Sequence, residues 1–445
     1  MQRLPIRRIA TLTAVVGLIA AACSGGGTPS PGGSGGASGD FSGKTITVLG
    51  AFVDSGSGTG EATEFAKTVK PFEDATGAKV QYEGTKQFET LINTRVQAGD
   101  PPDVAAIPQP GLMNRFAQGG NLKPLPQSVI DSIDQHYASP SWKELGSYNG
   151  QVYGVFHRVN IKGLFFYPKQ DWATKGYTPP TTNDELTALT QKMIANGDTP
   201  YCVGIESGAS SGWYGTDWIE QLVLHTYGPD VYNQWAQHKV LFTSDQIKKA
   251  WTEMGNVWFD PKMVYGGTAT ILQTAFGDAP TPMFADPAKC EMVMQGNFIT
   301  GFFPQDVQAN LDQDVGVFAY PSIDPQYTNA VEAGGDQFVM FNDRPEVEAF
   351  LKFLTTPEAG ASWQQAGGAL FAYKDQDFSL YKTDIERNAA QTLATATDVV
   401  FDASDQMPAA VGNGSFWKGV IDYVSQGPSS LDQILQTIDS SWPSS

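Results

Sequence analysis

Histidine is nearly missing from this chain. Four occur in 445 residues: His136, His157, His225 and His238. None shows the i, i+4 pairing or the cysteine partner of a zinc site, which argues against a metal centre. The same shortage tells against an esterase. Gly208-Ala209-Ser210-Ser211-Gly212 fits the G-x-S-x-G pattern of a hydrolase elbow. An elbow serine needs an acid and then a histidine downstream. After Ser210 only His225 and His238 remain, both within a few helical turns, so the triad has almost no room. Paired carboxylates of a glycosidase stay open, because their spacing in space is invisible in a sequence.

Basic residues are also short. Lys and Arg number 28 against 47 Asp and Glu, a formal charge of −19. A nucleic-acid binder neutralises phosphate with basic patches, so that class is disfavoured. The acidity is better read as solubility outside the cell.

Only one long apolar run occurs, Ile9 to Ala22, preceded by Arg3, Arg7 and Arg8. It is short for a membrane span and reads as a secretory signal, residues 1–22. It ends in Ala20-Ala21-Ala22-Cys23. A Cys directly after small residues resembles the lipobox of bacterial lipoproteins, with Ala20 where Leu is usual. The expected mature chain starts at an acylated Cys23. It continues through a Gly/Ser/Pro tether over 23–43, which carries no apolar periodicity. Such a protein sits lipid-anchored on the outer face of the membrane.

Cysteine is scarce too, three in all. With Cys23 lipidated, Cys202 and Cys290 form an even pair in an oxidising compartment. A disulfide is expected between them, the alternative being two buried free thiols.

What is present is enough length for two lobes with sizeable cores, 41% hydrophobic residues, and 25 Phe, 16 Tyr and 10 Trp. "KTITVLGAF" reads as a buried strand, and Glu61 to Thr76 as a helix with Phe65, Val69 and Phe72 on one face. "AKVQYEG" is a strand, "FETLINTRVQAG" a helix ended by Gly99, and "PDVAAIPQPG" a strand stopped by Pro108 and Pro110. This alternation implies a parallel sheet with right-handed crossovers, whose ligands bind at the carboxyl ends of the strands. The loops Ser55–Glu61, Gly84–Phe88 and Pro108–Gly111 then share a rim. "QVYGVFHRVNIKGLFFYP" is long and extended with a break at Asn160, suiting a crossing between lobes. Residues 170–300 are mostly helical, with Trp172, Trp235, Trp251 and Trp258 at core-like positions. "DVGVFAYPS" and "GGDQFVMFN" are strands, "PEVEAFLKFLTT" is a helix, and the tail from Ala361 is helical.

"SGSGTG", Ser55 to Gly60, lacks the Lys-Ser/Thr of a phosphate loop and reads as a turn. A different chemistry recurs on the rim. Sugars offer hydroxyls at their edges and C–H patches on their faces, so their sites combine aromatic planes with Asp, Asn, Gln and Arg. "TKQFET", "IPQPG", "FHRVN", "SGWYGTDW", "MQGNFITGFF", "EAGGDQF" and "FDASDQMP" each carry that mixture.

Together, the lipobox, the tether and the strand–helix order resemble a family 1 extracellular solute-binding protein of an ABC transporter. "EDATGAKVQYEGTKQFET", "AGDPPDVAAIPQPGLM", "CVGIESG", "GWYGTDWIE", "FFP", "FDASDQMP" and "GNGSFWKG" are similar to its α-glucoside-binding subgroup. The likeness runs from Lys44 to Trp442. It implies a two-lobed periplasmic-binding-protein-like α/β fold of type II, each lobe a mostly parallel sheet flanked by helices, joined by a hinge. The expected partition is 44–155 with 305–360 in one lobe and 156–304 with 361–445 in the other. Ligand bridging the lobes favours the closed form, which docks on a membrane permease. The resemblance implies no catalysis, no cofactor, no metal and a monomer. Cys202 and Cys290 also lie where the subgroup has cysteines.

Carried over position by position, Trp213 stacks on a sugar ring and Asp217 accepts hydroxyl bonds. Gln109 and Gln87 sit on the rim, and Glu61 caps the first helix or reaches ligand. Arg158 and Asn160 lie on the crossing strand, where relatives favour Lys and Asp. Gln295, Asn297 and Phe298 line the second lobe. Gly335 and Asp336 bring backbone close to ligand, and Asp405 is the last carboxylate. The expected function is capture of α-glucosides such as maltose, sucrose or trehalose-like disaccharides for import. The alternatives are another oligosaccharide or polyol, or an extracellular glycoside hydrolase.

Overall fold

The computed structural model describes residues 39–54, 60–396 and 399–443. The expected signal, Cys23 and most of the expected tether lie outside the described residues, as do residues 55–59 of the first rim loop. The tether's expected end at residue 43 comes too late. Phe41 donates its N–H to the Thr76 carbonyl at 2.7 Å and packs against the first core.

Strand β1 (Thr45–Gly50) buries Ile46, Val48 and Leu49. Helix α1 (Glu61–Thr76) turns Phe65, Val69 and Phe72 inward and stops at Gly77, left-handed with φ 73°. Strand β2 (Lys79–Gly84) leads to helix α2 (Phe88–Ala98), closed by Gly99 as its sequence predicts. Strand β3 (Val104–Ile107) is fully buried. The prolines after it do more than end a strand. Pro110 starts helix α3 (Pro110–Gln118), at a position where its missing N–H costs nothing.

Strand β4 (Gly154–Ile161) and strand β5 (Leu164–Pro168) form the crossing. The expected break at Asn160 is displaced. Asn160 stays inside β4, paired with Gly334, and the chain turns at Gly163, where φ is 74°. Next come helix α4 (Trp213–Ala236), strand β6 (Val293–Gln295), strand β7 (Val315–Ala319) and strand β8 (Val331–Met340). Strands β9 (Leu370–Phe371) and β10 (Val399–Phe401) and the short helix α5 (Ala403–Gln406) follow.

The larger sheet has seven strands in the order β9-β4-β8-β3-β1-β2, with β10 beside β8. β1 runs parallel to β2 and β3, as the alternation predicts, while β8 is antiparallel to β3 and β4. The smaller sheet, β6-β5-β7, is antiparallel throughout. The expectation of a mostly parallel sheet in each lobe therefore gives way to a mixed sheet in the first and fails outright in the second. A long helical insert separates β5 from β6, while β6 and β7, joined through short helices, run in the same direction on either side of β5.

Two main apolar cores accompany the sheets. One holds Phe65, Phe72, Val155, Phe338, Phe350, Trp363 and Phe401; the other holds Trp172, Trp218, Trp235, Trp251, Trp258, Val420 and Ile438. The expected partition shifts accordingly. β7 lies in the second sheet rather than the first lobe, and residues 361–401 supply Trp363, Tyr373, Tyr381 and Phe401 to the first core rather than the second. The chain passes between the cores at Lys162–Gly163, between β7 and β8, and at Asp402. No helix among the described residues is long and apolar enough to cross a membrane.

Candidate functional site

A cleft of about 310 Å³ opens between the two cores. Of the expected site residues, Glu61, Gln109, Arg158, Asn160, Trp213, Phe298, Gly335, Asp336 and Asp405 line it. Strand β4 supplies its floor. Arg158 stands opposite Asp336 across the ladder and donates Nε–H to its carboxylate at 2.8 Å. The guanidinium also pairs with Glu61 at the start of α1, and lies 4.7 Å from the Phe52 ring centroid. Burial raises the pKa of both Glu61 and Asp336, with Arg158 pulling the other way.

Two residues that line this space carry buried amide oxygens without partners. Gln109 donates Nε2–H to Glu89 at 3.0 Å, and its Oε1 is unpaired. Asn160 Oδ1 is unpaired as well. A buried polar atom without a partner is costly, about 1–3 kcal/mol, unless a ligand or water meets it.

The opposite wall is aromatic. Trp213, at the start of α4, packs edge-on to Phe276 at 5.1 Å between centroids and lies 6.0 Å from Phe298. Gly212 before it has φ 104°, and a Cβ there would fall 2.3 Å from the Trp417 carbonyl, so only glycine lets the turn sit that close. The Lys162 ammonium lies 5.1 Å from the Trp213 ring centroid.

Lys162 organises a charge cluster beneath the cleft. Its Nζ donates to Asp217 at 2.8 Å and to Asp402. Oxygens of Asp217, Glu220, Glu332 and Asp402 all lie within 4.8 Å of one another. Burial pushes the Asp217 carboxyl up to about 7 against the pull of Lys162. Glu220, Glu332 and Asp405 are raised well above the usual carboxylate range for the same first reason. Burial opposes the Lys162 ammonium, but Asp217, Asp402, Asp405 and Glu332 outweigh it and keep it charged.

Four expected site residues do not line the cleft. Asp217 is 1% exposed and spent on Lys162. Asn297 is buried and accepts the Ile161 N–H at 2.9 Å, fixing the crossing strand. Gln295 is buried and accepts the N–H of Gly296. Gln87 is exposed at the start of α2. The expected role of Gly335 also changes: a Cβ there would lie 2.8 Å from the Arg158 carbonyl, so the glycine answers to cross-strand crowding. Tyr214 faces the core and donates to the Met294 carbonyl. All four histidines are engaged elsewhere, with Asp375, Tyr373, the Tyr320 ring and Asp439.

Sequence reasoning missed Glu89, Lys162, Phe276, Asp402 and Trp417, all of which line the cleft. Glu89 and Asp402 fall inside the quoted stretches "TKQFET" and "FDASDQMP". Lys162 was legible as the one cation two residues beyond Asn160. Phe276 carried no signal beyond its aromaticity.

Residues 55–361 match the family model for bacterial extracellular solute-binding proteins. The chain belongs to that family. Osmoprotective compounds-binding protein GgtB of Synechocystis sp. is 39% identical over 414 residues, 92% of this chain and 94% of its own. Alpha-glucosides-binding periplasmic protein AglE of Rhizobium meliloti is 34% identical over 414 residues, 91% of this chain and 88% of its own. Among solved structures, the bacterial solute receptor AcbH superposes with a TM-score of 0.75 at 20% identity, covering 89% of this solute-binding protein and 98% of AcbH. Maltose-bound MalE3 of T. maritima superposes at 0.67, with 17% identity and 89% and 98% coverage. These two likenesses carry the fold: a type II, two-lobed binding protein with its cleft between the lobes.

Proposed function

We propose that this solute-binding protein captures α-glucosides of disaccharide size in the interlobe cleft and delivers them to an ABC permease. One observation carries the reading. Gln109 and Asn160, whose amide oxygens are buried and unpaired, line the same cleft as Trp213, Phe276 and Phe298. Sugar hydroxyls would satisfy the acceptors, and a sugar C–H face would lie on the indole. Glu61, Asp336 and Asp405 supply further acceptors, and Arg158 a donor. Asp217 acts through Lys162, and Asn297 through the crossing strand. A cleft of about 310 Å³ has room for a disaccharide, and a cavity of about 550 Å³ shares Val53, Glu61, Phe298 and Phe302 with it. The names of AglE and of maltose-bound MalE3 support the ligand class.

A second reading has its own support. GgtB is named for osmoprotective compounds and shares 39% of its residues with this chain. A small polyol glycoside would fit the same acceptors. Calorimetry with maltose, sucrose, trehalose and polyol glycosides separates the two, and product analysis in the same tubes tests for turnover. Saturable binding without products supports capture. Sugar consumption by the pure protein would overturn it in favour of a hydrolase.

Lipid anchoring at Cys23 and a Cys202–Cys290 disulfide belong to the same proposal for an exported protein. The Cα atoms of Cys202 and Cys290 are 5.4 Å apart, within the range a disulfide spans. Thiol titration of the denatured, unreduced mature protein checks the pair: two free thiols would rule it out.

A further inference from the structure

Ser210, the serine of the elbow-like pentapeptide, makes one side-chain bond that is not local. Its Oγ donates to Glu89 Oε2 at 2.9 Å. Glu89 belongs to α2, beside the larger sheet, while Ser210 sits on the turn before α4, beside the other core. The bond therefore spans the cleft. The two backbones also come close here. The Ala209 N–H meets the Lys86 carbonyl at 3.4 Å. A Cβ on Gly208, whose φ is 61°, would lie 2.8 Å from that carbonyl, so the turn approaches this closely only with glycine in place.

Glu89 uses its other oxygen on Gln109. Oε1 accepts Gln109 Nε2–H at 3.0 Å, and Glu89 is 9% exposed and Gln109 2%. An acidic acceptor on one side fixes which way the amide points. Turning the amide over would set its oxygen against a carboxylate. With the N–H₂ committed to Glu89, Gln109 lines the cleft with its Oε1 buried and without a partner.

We infer that Glu89 is a positioning residue that couples ligand capture to lobe closure, through a chain running Ser210 to Glu89 to Gln109 to a ligand hydroxyl. The inference rests on the cleft being the sugar site. Ser210 can reach Glu89 only when the lobes are together, so its hydroxyl holds the closed form. The same carboxylate presents Gln109 to the ligand. Ligand bound at Gln109 and Ser210 bound at Glu89 thus favour the same state. Burial raises the Glu89 pKa, with its hydrogen bonds from Ser210 and Gln109 pulling the other way, and a hydrogen bond to such a carboxyl corresponds to a roughly ten- to hundredfold change in equilibrium where the group is ionised.

The test compares wild type with Ser210→Ala, Ser210→Thr and Glu89→Gln in stopped-flow binding of a sugar that wild type binds. X-ray scattering gives the closed fraction with and without that sugar, and thermal unfolding checks each variant's fold. Ser210→Ala is expected to raise koff about tenfold or more, with kon within about twofold. The liganded protein should populate the closed form less, with the unfolding midpoint near that of wild type. Ser210→Thr keeps a hydroxyl and is expected to restore most of the lost residence time. Glu89→Gln is expected to lose affinity at least as strongly. If Ser210→Ala and Glu89→Gln keep wild-type koff and closed fraction, the coupling is wrong and sugar capture stands. If wild type itself binds no sugar in the panel, the cleft reading fails first.

Discussion

Trp213 stands between two environments. Phe276 and Phe298 hold its edges, and Lys162 lies 5.1 Å from its centroid, but the residue remains only half-buried. Its ring lines the cleft and also packs on the edge of the second core, whose neighbouring Tyr214 and Trp218 are 1% and 3% exposed. Trp213→Ala should therefore cost affinity rather than fold. The expected loss is about 2–3 kcal/mol, roughly 30- to 150-fold in Kd, because aromatic anchors in desolvated sites dominate binding. Titration calorimetry with a bound sugar measures it, and an unchanged Kd would remove Trp213 from the site. The tryptophan was legible in the sequence because an indole among glycines and hydroxyls has few structural reasons to be there. Asp217, four residues on, was misplaced for the opposite reason. Its helical turn is right, but the sequence does not reveal that Lys162 comes from the crossing to claim it.

Among elements, the crossing from β4 to β5 carries the tightest constraint. Gly163 turns the chain with φ 74°, and a Cβ on it would lie 2.2 Å from Gln221 Oε1. Gln221 in turn donates to Glu332 at 2.8 Å, one of the carboxylates around Lys162. Gly163→Ala would impose left-handed strain of about 1 kcal/mol and push Gln221 off Glu332, exposing a buried carboxylate to a further 1–3 kcal/mol. Chemical denaturation should show about 2–4 kcal/mol lost. A loss under about 0.5 kcal/mol would mean that the crossing adapts freely. The first lobe's strands and helices were readable because local periodicity and glycine stops agree with the fold there. The second sheet and the lobe boundaries were not. β5, β6 and β7 are brought together by pairings across more than a hundred residues, and period-two patterning carries no record of partner or direction. Likewise, the tail's helical pattern said nothing of Trp363 and Phe401 packing back into the first core.

At the scale of the whole molecule, the excess of acid reaches the interior. Asp217, Glu220, Glu332, Asp402 and Asp405 surround a single ammonium, Lys162, at the junction of the cores. Burial raises the pKa of Asp217 to about 7 and lifts Glu220, Glu332 and Asp405 well above the usual range. Away from the hinge, burial brings Glu291 to about 7 against the pull of Lys175. A carboxylate raised by folding contributes stability that is complete below its unfolded pKa and is lost as pH rises through the folded one. Buried histidines act in the opposite direction and in another window. Burial lowers His157 to about 3 and His225 to about 4, so their contribution is complete above the unfolded value and is lost as pH falls below it. Above about pH 6.5 the two buried histidines are neutral in the folded protein and mostly neutral in the unfolded chain, so the carboxylates dominate the titration. The thermal midpoint should therefore fall between about pH 6.5 and 8, with on the order of 1–2 kcal/mol of stability lost. Calorimetric scans at fixed ionic strength measure this fall, and Asp217→Asn should flatten it by removing one of the groups that ionise there. A midpoint that stays flat or rises over this interval would mean that burial does not hold these carboxyls protonated in the folded protein.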